Sequence, residues 1–343
     1  MKIAELIAPR QFRLADGPVP ECGPGEVLVK VKAVGACGSD LHNFVEGSVG
    51  DIPSVFPMVL GHEPAGEVAG CGAGVTGWSP GDPVICEPAI YCYHCEFCRS
   101  GRYNVCANIR FLSQPGEPGY FREYVAIPAH NILPLPEGLS FEEGTVFEPL
   151  AIILHSMKIA RLELGETVAV FGAGPIGLLT VAVARAAGAK RIWSVEPVGH
   201  RRELARQMGA DAVVDPTAVD PSEFLLKDTG GRGVDAAFDC ATKGGSINHC
   251  LRATRNGGRV VFTGIPSEAT IDLEFHVARR KELALLNVRR SNDETGLALA
   301  MMRQDFRRFA PMLTHTRSID QIQASFETLA RYGDGIGKLV LQM

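Results

Sequence analysis

Two kinds of hydrophobic pattern meet near residue 166. Before that point apolar and polar residues alternate in short runs broken by Gly and Pro, as in EVLVKVKAVG (26–35), PMVLGHEPAGEVAG (57–70) and GDPVICEP (81–88). Alternation of this kind predicts strands with one covered face, and no long amphipathic helix precedes about residue 150. After that point the apolar runs become short and continuous: TVAVF (167–171), RIWSVE (191–196), DAVVD (211–215), GVDAAFDC (233–240), GGRVVFTG (257–264) and LALLNVRR (283–290). Segments of helix length separate them, including an apolar one ending near Ala187 and the charged HRRELARQMG (200–209). Such alternation predicts βαβ crossovers and a parallel sheet buried on both faces. GIGKLVLQM (335–343) reads as a closing strand, and the chain from about residue 290 is expected to rejoin the first module.

Composition changes this picture little. A length of 343 residues suits about two domains, and 46% apolar with 21% charged residues is an ordinary globular balance. A net charge of −5 argues against a broad phosphate-binding face, so nucleic acid is not an expected partner. The N-terminus MKIAELIAPR lacks the apolar core of a signal peptide. The uncharged stretch 167–184 is about long enough for a short membrane span. Gly172, Gly174, Pro175 and Gly177 break it into strand, turn and helix, so a soluble, cytoplasmic protein is expected.

Cysteine usage points to metal. Cys92, Cys95, Cys98 and Cys106 lie in YCYHCEFCRSGRYNVC, with two residues between each of the first three and seven before the fourth. Four thiolates on one tight loop can close a tetrahedral zinc site unaided. The remaining cysteines, Cys22, Cys37, Cys71, Cys86, Cys240 and Cys250, are scattered and read as thiols rather than disulfides.

FGAGPIGLL supplies Gly172, Gly174 and Gly177 as G-x-G-x-x-G between a predicted strand and a predicted helix. That arrangement allows a tight turn, backbone approach to a pyrophosphate and close helix packing, with the helix N-terminus favouring the anion. Glu196 follows Gly177 by nineteen residues, where a carboxylate bonds the ribose hydroxyls and repels a 2′-phosphate. NAD is therefore expected over NADP, although Arg201 and Arg202 close behind offer a phosphate partner. A third set is dispersed: Cys37, Ser39, Asp40 and His42 in GACGSDLH, His62 and Glu63 in LGHEPAGE, and Glu148 in VFEPLA. A catalytic zinc often draws ligands from distant loops. Taken singly, though, each of these residues also reads as a buried thiol, a core histidine or a loop carboxylate.

The segments GACGSDLH, VLGHEPAGEV, the four-cysteine loop, EPLA and FGAGPIG occur together, in order, along nearly the whole chain. In this it resembles the zinc-containing medium-chain dehydrogenases, and the polyol (sorbitol) branch in particular. The resemblance implies an α/β fold: a doubly wound parallel Rossmann sheet over 153–289 plus a mostly-β, GroES-like catalytic domain over 1–152 and 290–343. It implies two zinc ions per chain. Cys37 and His62 would hold the catalytic one, with Glu63 as a further ligand or a partner that supports the ligands and Glu148 ligating directly or through water, and the four cysteines would hold a structural one. Pro175, Ile176, Glu196, Arg201, Gly264, Ile265, Val288, Arg289 and Arg290 would join the three glycines around the cofactor. Ser39 and His42 would relay the proton of the alcohol, and Asn43 and Arg289 would face the substrate. Where the polyol branch has an Arg-Tyr pair this chain has Arg289-Arg290, and where that branch often has tyrosine it has Asn43. Both changes suggest a more polar substrate such as a sugar acid.

The expected activity is hydride transfer from a secondary alcohol, polyol or sugar acid to NAD by a homodimer or homotetramer. An alcohol or threonine-type dehydrogenase is the alternative within the family. A zinc-loop binding module or a redox dithiol protein is the alternative outside it.

Overall fold

The computed structural model describes residues 1–243 and 245–343. The chain divides into two compact units: Met1–Glu148 with Asn292–Phe306 and Leu313–Met343, and Pro149–Ser291 with Arg307–Met312.

The first unit is built on a seven-stranded sheet. Its central strand, Glu26–Gly35, pairs antiparallel with Glu63–Cys71 on one side and with Tyr124–Pro128 and Lys338–Gln342 on the other. The alternation read from the sequence is the burial pattern of that strand: Val27, Val29 and Val31 are buried while the residues between them are half-exposed. The C-terminal strand thus lies inside the sheet, between the strand that ends at residue 35 and Leu313–Ser318, and its register sets Val340 opposite Gly35. Gly35 also lies opposite Glu63.

Directly after this strand comes a helix, Gly38–Glu46, in a stretch read from sequence only as strand and turn. Its cause is local. Cys37 takes the N-cap position with extended backbone, and the Asp40 carboxylate accepts the Cys37 N–H at 3.1 Å. Gly47 stops it in the left-handed region at φ 69°. Phe44 anchors its inner face, stacked on Phe12 at 5.5 Å and tilted on Phe326 at 5.3 Å. Burying one such ring stabilises by about 1.5–3 kcal/mol. This is enough to seat a nine-residue helix that would be marginal alone.

The second unit carries a six-stranded parallel sheet in the order 212–214, 191–195, 167–171, 234–239, 254–262, 284–287. All six residues of Val234–Asp239 are buried, which is why that strand reads as a run rather than an alternation. The order reverses between 167–171 and 234–239, and in such sheets the crevice for a ligand opens at the carboxyl ends of those strands. Among the described residues no helix is long and apolar enough to cross a membrane.

Candidate functional site

The dispersed set converges. One ligand atom each from Cys37, His62 and Glu63 lie within 4.8 Å of one another. Strand register does this: Cys37 lies two residues beyond Gly35, and Gly35 is paired with Glu63. A Cβ at position 35 would stand 2.1 Å from Glu63 Oε2, so glycine leaves the space that the carboxylate fills.

His62 is buried, with Nδ1 3.5 Å from Asp40 Oδ1. Burial alone would lower its pKa, but the Asp40 and Cys37 charges outweigh that and hold it well above the usual histidine value. With Nδ1 turned to Asp40, Nε2 is the nitrogen left for a cation. Asp40 is a fully buried hub that also accepts from Gly61 N at 3.2 Å and Ser113 Oγ at 3.1 Å. Glu63 forms a buried ion pair with Lys338, whose Nζ donates to Ala36 O at 3.0 Å. Removing one partner of such a pair costs about 3–5 kcal/mol.

Glu148 lies outside the 4.8 Å group but is buried, and its Oε2 has no hydrogen-bond partner. Burial pushes its carboxyl up to about 8, opposed by His62 and reinforced by Glu63 and Glu87. Two carboxylates, a thiol and an imidazole, with a buried unpartnered oxygen on Glu148, fit a divalent cation of zinc's preferences. Ser39 and His42 ride on the helix that starts at Cys37, and His42 Nδ1 lies 3.0 Å from Glu46. Asn43 is buried and engaged at both ends of its amide: Nδ2 donates to Ser39 O at 3.1 Å and Oδ1 accepts from Ser54 Oγ at 2.7 Å.

The four cysteines form a second centre. Sulfur separations are 3.5 Å (Cys92–Cys106), 3.9 Å (Cys95–Cys106) and 4.0 Å (Cys92–Cys98). A zinc tetrathiolate with bonds of ~2.3 Å has tetrahedral edges of about 3.8 Å, so the loop matches that ion. Backbone N–H groups of Cys95 and Cys98 point at the sulfurs of Cys92 and Cys95. The Asn108 amide, with the backbone N–H groups of His94 and Cys95, pulls the Cys92 thiol down to about 5, as a thiolate ligand requires. All ten cysteines are free of disulfides.

In the second unit each fingerprint glycine has a separate reason. Gly172 takes φ 94°, and a side chain there would meet Ala241 at 3.0 Å. Gly177 packs so closely that a Cβ would stand 1.9 Å from Gly172 O. Gly174 is the N-cap of the helix Pro175–Ala186, with only the Arg201 guanidinium near, 4.0 Å from its Cβ position. Glu196 is buried at the end of the strand Arg191–Val195, accepting from Ala173 N at 2.7 Å and Val198 N at 2.9 Å. Arg202 is spent on the Glu196 and Pro197 carbonyls and on Asp215. Ile176 lies in the first helical turn, Ile265 is exposed, and Gly264 packs on Cys240 and Thr242. Val288 N bonds Phe262 O, Arg289 is exposed, and Arg290 takes φ 54°.

Read from sequence, Asp40 stands in the dispersed set with no role of its own, while Asp239 and Lys338 are passed over. Asp239 ends an apolar strand and holds the turn opposite Gly172 through Ala241 N, Thr242 N and Ser246 Oγ. Lys338 carries no sequence signal at all, being one lysine in a C-terminal strand.

Comparison with known proteins agrees with this geometry. An alcohol dehydrogenase GroES-like domain model matches residues 23–137, and a zinc-binding dehydrogenase model matches 175–311. The sorbitol dehydrogenase of Bacillus subtilis (strain 168) is 33% identical, covering 97% of this chain and 94% of that protein. The L-idonate 5-dehydrogenase of Vitis vinifera is 34% identical over 97% and 92%. A zinc-binding dehydrogenase of Sinorhizobium meliloti 1021, solved bound to NADP, superposes with a TM-score of 0.91 at 31% identity, covering 100% and 99% of the two chains.

Proposed function

The chain belongs to the zinc-binding medium-chain alcohol and polyol dehydrogenases, and from that premise we propose that it oxidises a secondary hydroxyl of a polyol or sugar acid with NAD. The observation that carries the reading is the meeting of Cys37, His62 and Glu63 ligand atoms within 4.8 Å, beside the unpartnered oxygen of Glu148.

Zinc bound there supplies Lewis-acid activation of the alcohol. Cys37 and His62 would hold the ion, Asp40 fixes the imidazole, and the ion pair with Lys338 keeps the Glu63 carboxylate in place. Glu148 completes the set directly or through water. Ser39, two residues past Cys37, takes the alcohol proton. His42, on the same helix and braced by Glu46, passes it to solvent. The four-cysteine loop holds a second, structural zinc.

The glycine loop with Pro175 and Ile176, together with Gly264, Ile265 and Val288, holds the dinucleotide. Glu196, fixed by two backbone amides, favours the unphosphorylated ribose and hence NAD. Arg201 beside Gly174 is the group that would serve a phosphate. Arg289 is the substrate-facing charge of the reading, and with Arg290, counted among the cofactor residues, next to it in the chain, it favours a carboxylate-bearing polyol. Asn43, with its amide engaged, contributes little to that preference. The enzyme acts in the cytoplasm as a homodimer or homotetramer.

The test is a panel of neutral polyols, simple alcohols, threonine and aldonates assayed with NAD and with NADP. We expect NAD reduction, with the highest kcat/KM on aldonates. Equal efficiency on neutral and carboxylated substrates removes the sugar-acid assignment, and a preference for NADP transfers the ribose role from Glu196 to Arg201. A fully zinc-loaded protein that reduces neither cofactor with any hydroxylated compound overturns the whole reading.

A further inference from the structure

Ser113 has no step in the chemistry above, yet its backbone takes a conformation that serine rarely adopts. Its φ is 85°, in the left-handed region that a side chain disfavours. Such a conformation persists where the surroundings over-determine it. Here Ser113 N donates to Glu117 O at 2.8 Å, Gln114 N to Phe111 O at 3.2 Å and Glu117 N to Gln114 O at 2.9 Å. The Arg110 guanidinium closes the same turn on the Glu117 carboxylate with two bonds, at 2.6 and 2.9 Å. On the entry side Arg110–Phe111 pairs antiparallel with Ala89–Ile90. On the exit side Tyr120 N donates to Gly61 O at 2.8 Å and Phe121 N to Leu60 O at 2.9 Å, at the residues directly before His62. The whole turn lies in the first unit, with the Cys37–His62–Glu63 set. It meets that set twice. The Phe111 ring lies 5.4 Å from the His62 ring, centre to centre. The buried Ser113 Oγ donates at 3.1 Å to Asp40 Oδ1, the oxygen that stands 3.5 Å from His62 Nδ1.

We infer that Ser113 is a positioning residue for the metal ligand His62: its hydroxyl, placed by the unusual backbone of the 110–117 turn, holds the Asp40 oxygen that orients the imidazole. The inference rests on the proposed reading only for the cation at Cys37, His62 and Glu63, not for the hydride chemistry. The residue type supports it. Glycine would satisfy the backbone at position 113 more readily but offers no hydroxyl, and alanine offers neither advantage. Groups that orient a ligating histidine from behind tune its metal affinity without touching the ion.

The experiment compares wild type with Ser113→Ala and Ser113→Gly. Zinc affinity of the dispersed site, measured by chelator competition, is expected to fall about ten-fold in both variants, while the four-cysteine loop keeps its ion. With cobalt(II) loaded at the dispersed site alone, the visible absorption should shift in both, because the imidazole meets the ion at a changed angle. Ser113→Gly loses the hydroxyl without straining the backbone, so it carries the test if Ser113→Ala folds poorly. A merely structural role would lower Tm and leave affinity and spectrum unmoved. Wild-type affinity and spectrum in both variants overturn the inference by showing the hydroxyl idle. Wild-type values in Ser113→Gly alone overturn it too, since backbone strain and not the hydroxyl would then act on the metal. None of these measurements needs turnover. A wild type inert toward every polyol, with two ions bound and weaker binding in both variants, upholds the inference while the dehydrogenase reading fails. A wild type that binds zinc only in the loop removes both.

Discussion

The four-cysteine loop and the Cys37–His62–Glu63 set are both candidate cation sites in one unit, and they are built in opposite ways. In the loop all ligands fall within fifteen residues, Cys92 to Cys106, and local backbone N–H groups point at their sulfurs. The dispersed set has no such local order. Cys37 is placed by a helix cap, His62 by an Asp40 carboxylate held from three sides, and Glu63 by the register of a strand pair and a lysine from the C-terminus. A local site depends on its own loop. A dispersed site depends on the sheet, and every element that sets the register acts on the metal.

The sharpest way to break this comparison is to remove one ligand from each centre. Cys37→Ala should abolish turnover, by 10³-fold or more, and release one zinc while the loop keeps the other, as mass spectrometry under native conditions would register. Cys98→Ser should release the loop zinc and lower Tm, yet leave the Cys37 ion bound. Loss of both ions from either single variant would mean that the centres are not independent and that the contrast drawn here is wrong.

A subtler change tests whether strand register builds the dispersed site. Gly35→Ala alters no ligand and sits mid-sheet, but its methyl would fall on Glu63 Oε2 and stand 3.0 Å from Cε of Lys338, the carboxylate's ion-pair partner. The carboxylate must move. Zinc affinity, measured by chelator competition, should drop about 10–100-fold, as for loss of a supporting contact around a metal ligand. The loop zinc should be untouched. Wild-type affinity in this variant would show that the carboxylate has other room and that Glu63 is not placed by the glycine.

The same contrast explains what the sequence made legible. Spacing alone exposed the Cys92–Cys106 loop and the Gly172–Gly177 turn, because each is a local device with a short-range pattern. Strand periodicity gave the parallel sheet, whose buried strands read as unbroken apolar runs. The helix Gly38–Glu46 was not legible. It has about two and a half turns beyond its cap, and its stability comes from Phe44 meeting Phe12 and Phe326 across the fold. Lys338 was hidden for a related reason: a lysine near a C-terminus is ordinary until the sheet order sets its strand beside residue 35. The dispersed ligands came from resemblance rather than from spacing, since nothing local joins position 37 to positions 62 and 148.

Glu148 offers the smallest and most discriminating test. Its carboxyl is raised from 4.5 to about 8 chiefly by burial, so without a cation it holds its proton through neutral pH. The sign then follows. Between about pH 4.5 and 8 a cation drawn to this carboxylate must displace that proton, so zinc affinity rises with pH across the interval and levels off above about 8, where the carboxylate is already ionised. Glu148→Gln has no proton to release. Its affinity should vary with pH less steeply, by one proton in the plot of log affinity against pH, with His62 and Cys37 supplying the slope that remains. Titrating wild type and variant with zinc at several pH values decides the matter. Parallel lines would place Glu148 beside the dispersed site but outside its charge balance, and the cation would then rest on Cys37, His62 and Glu63 alone.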